Sequence, residues 1–160
     1  MTAICPAAHT RGQDRVAQGR EPIRVWFRRL HLGFAWLFVV AILYQVYLAG
    51  RAIFVRGQSW EDHVVFGFFL LPLVALLVLL SAIAAGMPRL AIGLAALPLL
   101  GVFVQYVLAT FKYAGQPEVA ALHPVTALVV FGIGVVVARQ ARGFLAEAKL
   151  TAAGTPRDLP

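Results

Sequence analysis

The glutamines and histidines inside the apolar stretches of this sequence are Gln45, His63, Gln105 and His123, when His31 is counted as interfacial. In both halves a Gln-x-x-Leu-Ala motif is followed fourteen residues later by the histidine, and the two copies are 60 residues apart. Neutral imidazole nitrogens are common ligands for haem iron and for other metal ions. The pattern therefore predicts a ligand pair contributed by two copies of one structural unit.

The offset of 60 residues also aligns identical glycines and apolar residues of the two halves. It pairs Gly33 with Gly93, Ala35 with Ala95, Leu37 with Leu97 and Val65 with Val125. We interpret the repeated unit as a helical hairpin. Because a two-helix unit begins and ends on the same side of a membrane, two copies are related by an axis along the membrane normal.

The elements that position these residues are predicted from composition. Of the 160 residues, 61% are hydrophobic and 13% are charged, against about 45–50% and about 25% in soluble domains. A soluble domain of this size buries only about 70% of its surface and could not hide such an excess. Four apolar stretches of the length that crosses a bilayer, at 32–50, 63–85, 90–111 and 120–138, predict an all-α integral membrane protein with an up-down four-helix bundle.

Charge distribution predicts the orientation of the bundle. The formal net charge is +7, but most Lys and Arg residues lie in the two tails and in the loop that contains Arg89. By the positive-inside rule both termini are cytoplasmic in a multi-pass plasma membrane protein. The partner of the basic residues is then the lipid bilayer and not nucleic acid. We expect residues 1–22 to be a disordered tail, 23–146 to form the transmembrane domain and 147–160 to form a second tail.

In such a bundle helices 2 and 4 are diagonal, so His63 and His123 are expected to face each other in the outer half of the membrane. This favours a b-type haem with two histidine ligands, serving electron transfer or haem handling. A lone cysteine, Cys5, excludes a Cys-x-x-Cys-His attachment. A single haem in the outer half would exchange electrons with a quinone or with a protein partner.

The neighbours of the histidines fit the same hypothesis. Gly67 and Ala127 each follow a histidine by four residues, on the same helix face, and are expected to make room for the macrocycle. Gln45 and Gln105 are expected to hydrogen-bond the imidazoles or a propionate.

Other interpretations remain open at this point. The main alternative is a haem-free four-helix module that binds a partner membrane complex, with the glutamines joining helices. A metal ion other than haem iron would have only the two histidines as ligands at this depth, unless Glu61 and Asp62 complete its site at the surface. A transporter is disfavoured because no unpaired charge lies at the midplane. His31 has Ala91 at its equivalent position, and we place it at the cytoplasmic interface.

Local signals predict where two helices begin. Ser59 to Asp62 fits a variant of the capping box, with Ser59 as N-cap and Asp62 at the third helical position. Pro117 or Glu118 is expected to open the fourth helix, since proline is favoured at the first helical position.

The stretches Ser59-Trp60-Glu61-Asp62-His63 and Leu122-His123-Pro124-Val125 resemble a group of small bacterial four-helix membrane proteins, domain of unknown function 6220. The resemblance covers about residues 30–142. Thr126-Ala127 stand where that group often has Asn-Gly. The resemblance implies a four-helix fold and no established activity.

A more distant resemblance is to one four-helix half of haem A synthase. His63 and His123 are similar in position to its haem ligands, and Gln105 resembles the glutamine that leads its third helix. Trp60 and Val64 stand where that enzyme has an acidic residue and an arginine, and this sequence contains one bundle instead of two. The resemblance therefore implies the haem-ligand role without the oxidation chemistry.

Overall fold

The protein folds into four long helices in a computed structural model that describes residues 7–152, with side chains from 22 to 150. These residues contain no strand. The helices are α1 (Ala7–Phe54), α2 (Glu61–Ala84), α3 (Arg89–Thr110) and α4 (Leu122–Ala152), and a short helical turn at Pro117–Ala120 precedes α4. All four are long and apolar enough to cross a membrane. The predicted all-α class with four membrane spans is confirmed.

The helices pack as an up-down bundle. Helix α1 packs against α2 and α4, and α3 packs against the same two helices. Helices α2 and α4 therefore lie diagonally across the bundle, as predicted. We call the end of the bundle that holds His63 and His123 the histidine end, and the opposite end, where the 85–88 turn joins α2 to α3, the arginine end.

Small side chains fill the centre of the bundle. Fully or almost fully buried residues include Ala35, Ala75, Ala82, Ala91, Ala95, Ala138 and the larger Phe38 and Val78. Small residues let helix backbones approach closely, which is how helices associate where no hydrophobic effect drives them together. Only 11% to 33% of the most apolar window of each span is buried. The remaining apolar surface faces outward, where lipid tails would cover it.

Helices α1 and α4 are longer than the apolar stretches that predict them. Helix α4 runs to Ala152, beyond the predicted span end at 138, and α1 is helical from Ala7, where the sequence predicts disorder over 1–22. Hydropathy marks only the part of a helix that is apolar enough for the hydrocarbon core. In α4 no residue that ends helices follows directly after position 138, so the helix continues. Within the predicted tails, residues 1–6 and 153–160 lie outside the described residues.

Prolines shape the helices near the histidine end. In α2 the segment Phe66–Leu70 is π-helical, and the Leu71 N–H donates to the Phe66 carbonyl five residues earlier. Pro72 follows at once and has no N–H to donate, so the regular pattern is already interrupted there. Before α4, the helix is interrupted at Ala121. In a continuous helix the ring of Pro124 would crowd the carbonyl of Ala120, four residues earlier.

The start of α2 differs from the predicted capping box. Its N-cap is Trp60, and the Ser59 hydroxyl accepts a hydrogen bond from the Glu61 N–H at 3.3 Å. The Asp62 carboxylate lies 3.5 Å from the Arg51 guanidinium. The capping-box prediction is wrong because the basic side chain at the end of α1 engages Asp62. The fourth helix is predicted to open at Pro117 or Glu118; a helical turn does begin at Pro117, but it is interrupted at Ala121 and α4 itself begins at Leu122.

Candidate functional site: a histidine pair between diagonal helices

The two histidines of the repeated motif lie side by side across the bundle. The ring centres of His63 in α2 and His123 in α4 are 6.3 Å apart, and the ring planes are inclined by 63°. Both side chains are partly buried. The helices that carry them are diagonal neighbours with small residues between them, so two large side chains fit between the helices at this level.

Each imidazole is held by the backbone of the preceding helix. His63 Nδ1 lies 3.1 Å from the Gln45 carbonyl oxygen, and His123 Nδ1 lies 3.0 Å from the Gln105 carbonyl oxygen. A carbonyl oxygen only accepts, so Nδ1 carries the proton in both rings and donates it. The Nε2 atom of each ring then has its lone pair available. Histidines that ligate metals are held in this way, with the second ring nitrogen donating to a carbonyl or carboxylate.

The side chain of Gln45 binds His63 a second time. Its Nε2 amide donates to the His63 carbonyl oxygen at 2.8 Å and lies 3.3 Å from His63 Nε2. Its Oε1 atom is buried and has no hydrogen-bond partner among the described residues. Gln45 therefore contacts the ring of His63, as the sequence predicts for a residue that supports a ligand, but it does so at the nitrogen that would bind the metal.

Gly67 makes room for the Gln45 amide. A Cβ atom at position 67 would lie 2.5 Å from Gln45 Nε2 and 3.4 Å from its side-chain carbon. The sequence predicts that this glycine makes room for a macrocycle, but the adjacent space is occupied by Gln45. Any larger group that enters here has to displace the glutamine side chain. Ala127, the predicted equivalent in α4, is partly buried one turn after His123.

The side chain of Gln105 turns to a different partner. Its Oε1 atom accepts a hydrogen bond from the Thr126 hydroxyl at 3.1 Å. The Thr126 oxygen also lies 3.0 Å from the Leu122 carbonyl and 3.1 Å from the His123 carbonyl. Sequence comparison of the two halves misses Thr126, because position 66 in the first half is a phenylalanine. The spacing of three residues from His123 is the signal that could have found it.

Trp60 covers one side of His63. The two rings meet edge to face, with centres 5.5 Å apart and planes at 87°. The indole is about half exposed, so it lies between the imidazole and the outside of the bundle. The corresponding position before His123 is Ala120, and the two histidines therefore differ in how closely they are enclosed.

Arg51 contacts both Gln58 and Asp62 in the α1–α2 connection at the histidine end. Arg51 at the end of α1 contacts the Asp62 carboxylate at 3.5 Å and donates to the Gln58 amide oxygen at 2.5 Å. Among the described residues no group of three or more His, Cys, Asp or Glu side chains could hold a metal ion. Glu61 and Asp62 therefore do not complete a metal site with His63 in this arrangement.

His31 is a buried polar residue near the arginine end, and sequence reasoning, which places it at the end of the first span, does not predict its burial. It is 2% exposed, and its Nδ1 atom lies 3.0 Å from the Val78 carbonyl and 3.2 Å from the Ser81 hydroxyl. The Ser81 hydroxyl donates to the same carbonyl at 2.9 Å. His31 thus joins α1 to α2 near the arginine end and is remote from the histidine pair. Its spacing from Ala35 and Phe38, on the core-facing side of α1, is the signal for its burial.

Comparison with known proteins supports one of the two resemblances. Residues 45–111 match a family of unknown function, DUF6220. The match covers about two fifths of the chain and includes Gln45, His63 and Gln105 but not His123. No curated protein and no solved structure matches the chain. The resemblance to the uncharacterised family is confirmed over those residues, and the resemblance to haem A synthase stays a prediction.

Proposed function

We propose that this protein is a membrane b-type haem protein in which His63 and His123 would hold the haem iron. The observation that carries the proposal is the matched geometry of the pair. Both rings donate Nδ1–H to a glutamine carbonyl, and their centres are 6.3 Å apart. An imidazole nitrogen lies about 2 Å from the metal it ligates, which puts the centres of two rings on opposite sides of one ion roughly 6 Å apart.

The number of ligands supports haem over a bare ion. Among the described residues no third His, Cys, Asp or Glu is placed to complete a metal site with the two imidazoles, which alone are too few to fill the coordination sphere of a free transition metal. Haem iron brings four nitrogen ligands of its own and needs only the two axial ones. When bound, a haem of this kind would supply one-electron transfer.

The residues around the pair would hold the two ligands in place. The carbonyls of Gln45 and Gln105 orient the rings and fix the proton on Nδ1, which raises the basicity of the opposite nitrogen. Binding requires that the Gln45 amide leave His63 Nε2, and its unpartnered Oε1 atom lowers the cost of that movement. Trp60 limits the access of water to His63 from the outside.

The proposed placement in the cell follows from charge. Among described side chains, the arginine end carries seven basic residues and one acidic residue, Glu147, whereas the histidine end carries three of each. The positive-inside rule then assigns the arginine end and both termini to the cytoplasm of a plasma membrane. Electron transfer or haem handling would take place at the outer side, with a quinone or a protein as partner.

Haem titration tests this proposal directly. Full-length protein purified in detergent is expected to bind one haem per chain and to develop a sharp Soret band. His63→Ala and His123→Ala are each expected to abolish stoichiometric binding, while His31→Ala, the matched control at the opposite end, is expected to retain it. A protein that stays colourless after haem loading, or equal binding by all three variants, would overturn the proposal.

A haem-free module that binds a partner membrane complex is the second candidate. The observation in its favour is that each glutamine side chain already has a partner on the neighbouring helix, since Gln45 donates to the His63 carbonyl and Gln105 accepts from Thr126. Hydrogen bonds of this kind join helices in many membrane proteins. Under this alternative the His63→Ala and His123→Ala variants would lose stability without any haem-dependent change.

A further inference from the structure

The core-facing side of α1 carries positive charge at the arginine end. Arg24, Arg28 and His31 continue the stripe formed by the buried residues Ala35 and Phe38, at spacings of three and four residues. Residues at these spacings share one helix face. Arginines that only anchor a span can extend outward to the headgroups, but Arg28 lies on the face that packs against α4, where burying an unpaired charge is costly.

Arg28 lacks full pairing within the described part of the chain. Its Nη1 atom donates to the Phe144 carbonyl of α4 over a long 3.5 Å, and its Nε atom is buried without any hydrogen-bond partner. A guanidinium has five N–H donors and no acceptor, and a planar fork that matches the oxygens of a phosphate or carboxylate. The Nε atom is enclosed by the protein, but the Arg28 side chain as a whole is only half-buried, so its remaining N–H groups can donate to an anionic oxygen from outside the bundle.

A second guanidinium reaches the same seam between α1 and α4. Arg142 of α4 lies over the ring of Trp36 of α1, with 5.7 Å between its central carbon and the ring centre. On α1, Arg24 lies beside Gly86 in the turn after α2, where a cation complements the carboxyl end of a helix. Arg24 thus lies at the turn after α2 and away from α4, whereas Arg28 and Arg142 both contact residues of the seam.

The depth of the seam points to a lipid as the source of the anion. Trp26, two residues before Arg28, is 57% exposed, and exposed tryptophans near the ends of membrane spans lie at headgroup level. The anion present at that depth in a bilayer is the phosphate of a phospholipid. Basic pockets between transmembrane helices bind the headgroups of anionic lipids for this reason.

We infer that the α1–α4 seam at the arginine end binds the phosphate of an anionic phospholipid through Arg28 and Arg142. The inference is independent of haem binding, because the seam and the histidine pair lie at opposite ends of the bundle. The bound headgroup would fasten α4 to α1 at the arginine end of the bundle.

Thermal unfolding in detergent tests the site with three probes. Full-length protein is unfolded with added dioleoylphosphatidylglycerol, with dioleoylphosphatidylcholine, or with inorganic phosphate alone. We expect the anionic lipid to raise the midpoint temperature clearly above the value with the zwitterionic lipid. Inorganic phosphate at the same concentration is expected to have little effect, because it lacks the acyl chains that bring the headgroup to the seam.

Matched variants separate a built site from general charge attraction. Arg28→Gln and Arg142→Gln are each expected to lose at least half of the anionic-lipid shift, and Arg28→Lys to recover part of it. Arg29→Gln removes the same charge from an exposed neighbour and is expected to keep the full shift. Because Arg142 is exposed, its variant remains informative if Arg28→Gln fails to fold.

Three outcomes would overturn the inference. Equal shifts with both lipids would exclude a preference for the anionic headgroup. An equal loss in Arg29→Gln would reduce the effect to general charge attraction. Full protection by inorganic phosphate alone would assign the site to a soluble anion and not to a lipid.

Discussion

The two halves of the bundle hold their histidines by the same backbone contact and differ in almost everything around it. In the first half, His63 is bound by the Gln45 amide and covered by Trp60. In the second half the Gln105 amide turns away to Thr126, and His123 Nε2 has no hydrogen-bond partner among the described residues. The shared contact orients each imidazole. The differences determine how readily the Nε2 atom of each imidazole becomes available to bind a metal.

A second difference lies at the other end of the same helices. The first half carries His31 and Ser81 in the core, whereas Ala91 and Ala141 occupy the equivalent positions in the second half. The first hairpin is thus pinned by polar contacts at both ends. The second has polar contacts at the histidine end, and small apolar residues pack at its arginine end.

The largest effect is expected from His31→Ala. The substitution removes a buried side chain and leaves the Val78 carbonyl with one donor fewer, so we expect a loss of about 2–3 kcal/mol in unfolding free energy. Unfolding in a mixed detergent with increasing denaturing detergent measures it. Ala91→Ser, at the equivalent position, is the control and is expected to cost clearly less. Equal costs would remove the contrast between the hairpins.

Gly67→Ala is expected to have the next largest effect. The new methyl group would meet the end of the Gln45 side chain at a distance that requires this side chain to move, and loss of its hydrogen bond to the His63 carbonyl would cost about 0.5–1.5 kcal/mol. The reverse change in the second half, Ala127→Gly, is expected to cost about 1 kcal/mol through backbone entropy alone. Stabilisation of Gly67→Ala by the full gain in helix propensity, about 1 kcal/mol, would show that Gln45 does not lie beside Gly67.

The two glutamines are expected to differ in their influence on haem affinity. Gln45→Ala removes the competing donor from His63 Nε2, and the loss of one hydrogen bond of about 0.5–1.5 kcal/mol corresponds to roughly 2–10-fold tighter binding. Gln105→Ala leaves His123 Nε2 unchanged and is expected to alter the affinity less than twofold. Haem titration monitored at the Soret band measures both. Weaker binding in Gln45→Ala would show that its amide supports the ligand instead of competing with haem.

Hydropathy and spacing predict most of the fold. The four spans, the diagonal placement of α2 and α4 and the helical turn that begins at Pro117 follow from the length of apolar runs and from proline chemistry, which depend on local sequence. The full extent of α1 and α4 could not be predicted in this way, because hydropathy does not mark where a helix ends outside hydrocarbon.

The candidate site was predictable in its residues but not in all its contacts. The repeated spacing brings out Gln45, His63, Gln105 and His123, since polar residues are rare in such stretches. It does not reveal that the Gln45 amide fills the space beside Gly67, because side-chain packing depends on the neighbouring helix. The burial of His31 was not predicted, because its position near the end of a span outweighed its spacing on the core-facing side.

The coordination state of the iron tests the central claim most directly. Haem-loaded protein is oxidised and examined by electron paramagnetic resonance, and its reduced form by visible absorption. The proposed ligation by His63 and His123 predicts a six-coordinate low-spin centre with a sharp α-band on reduction, converted to high-spin or lost in either alanine variant. A high-spin spectrum in the unsubstituted protein, or a low-spin spectrum that survives both substitutions, would contradict it.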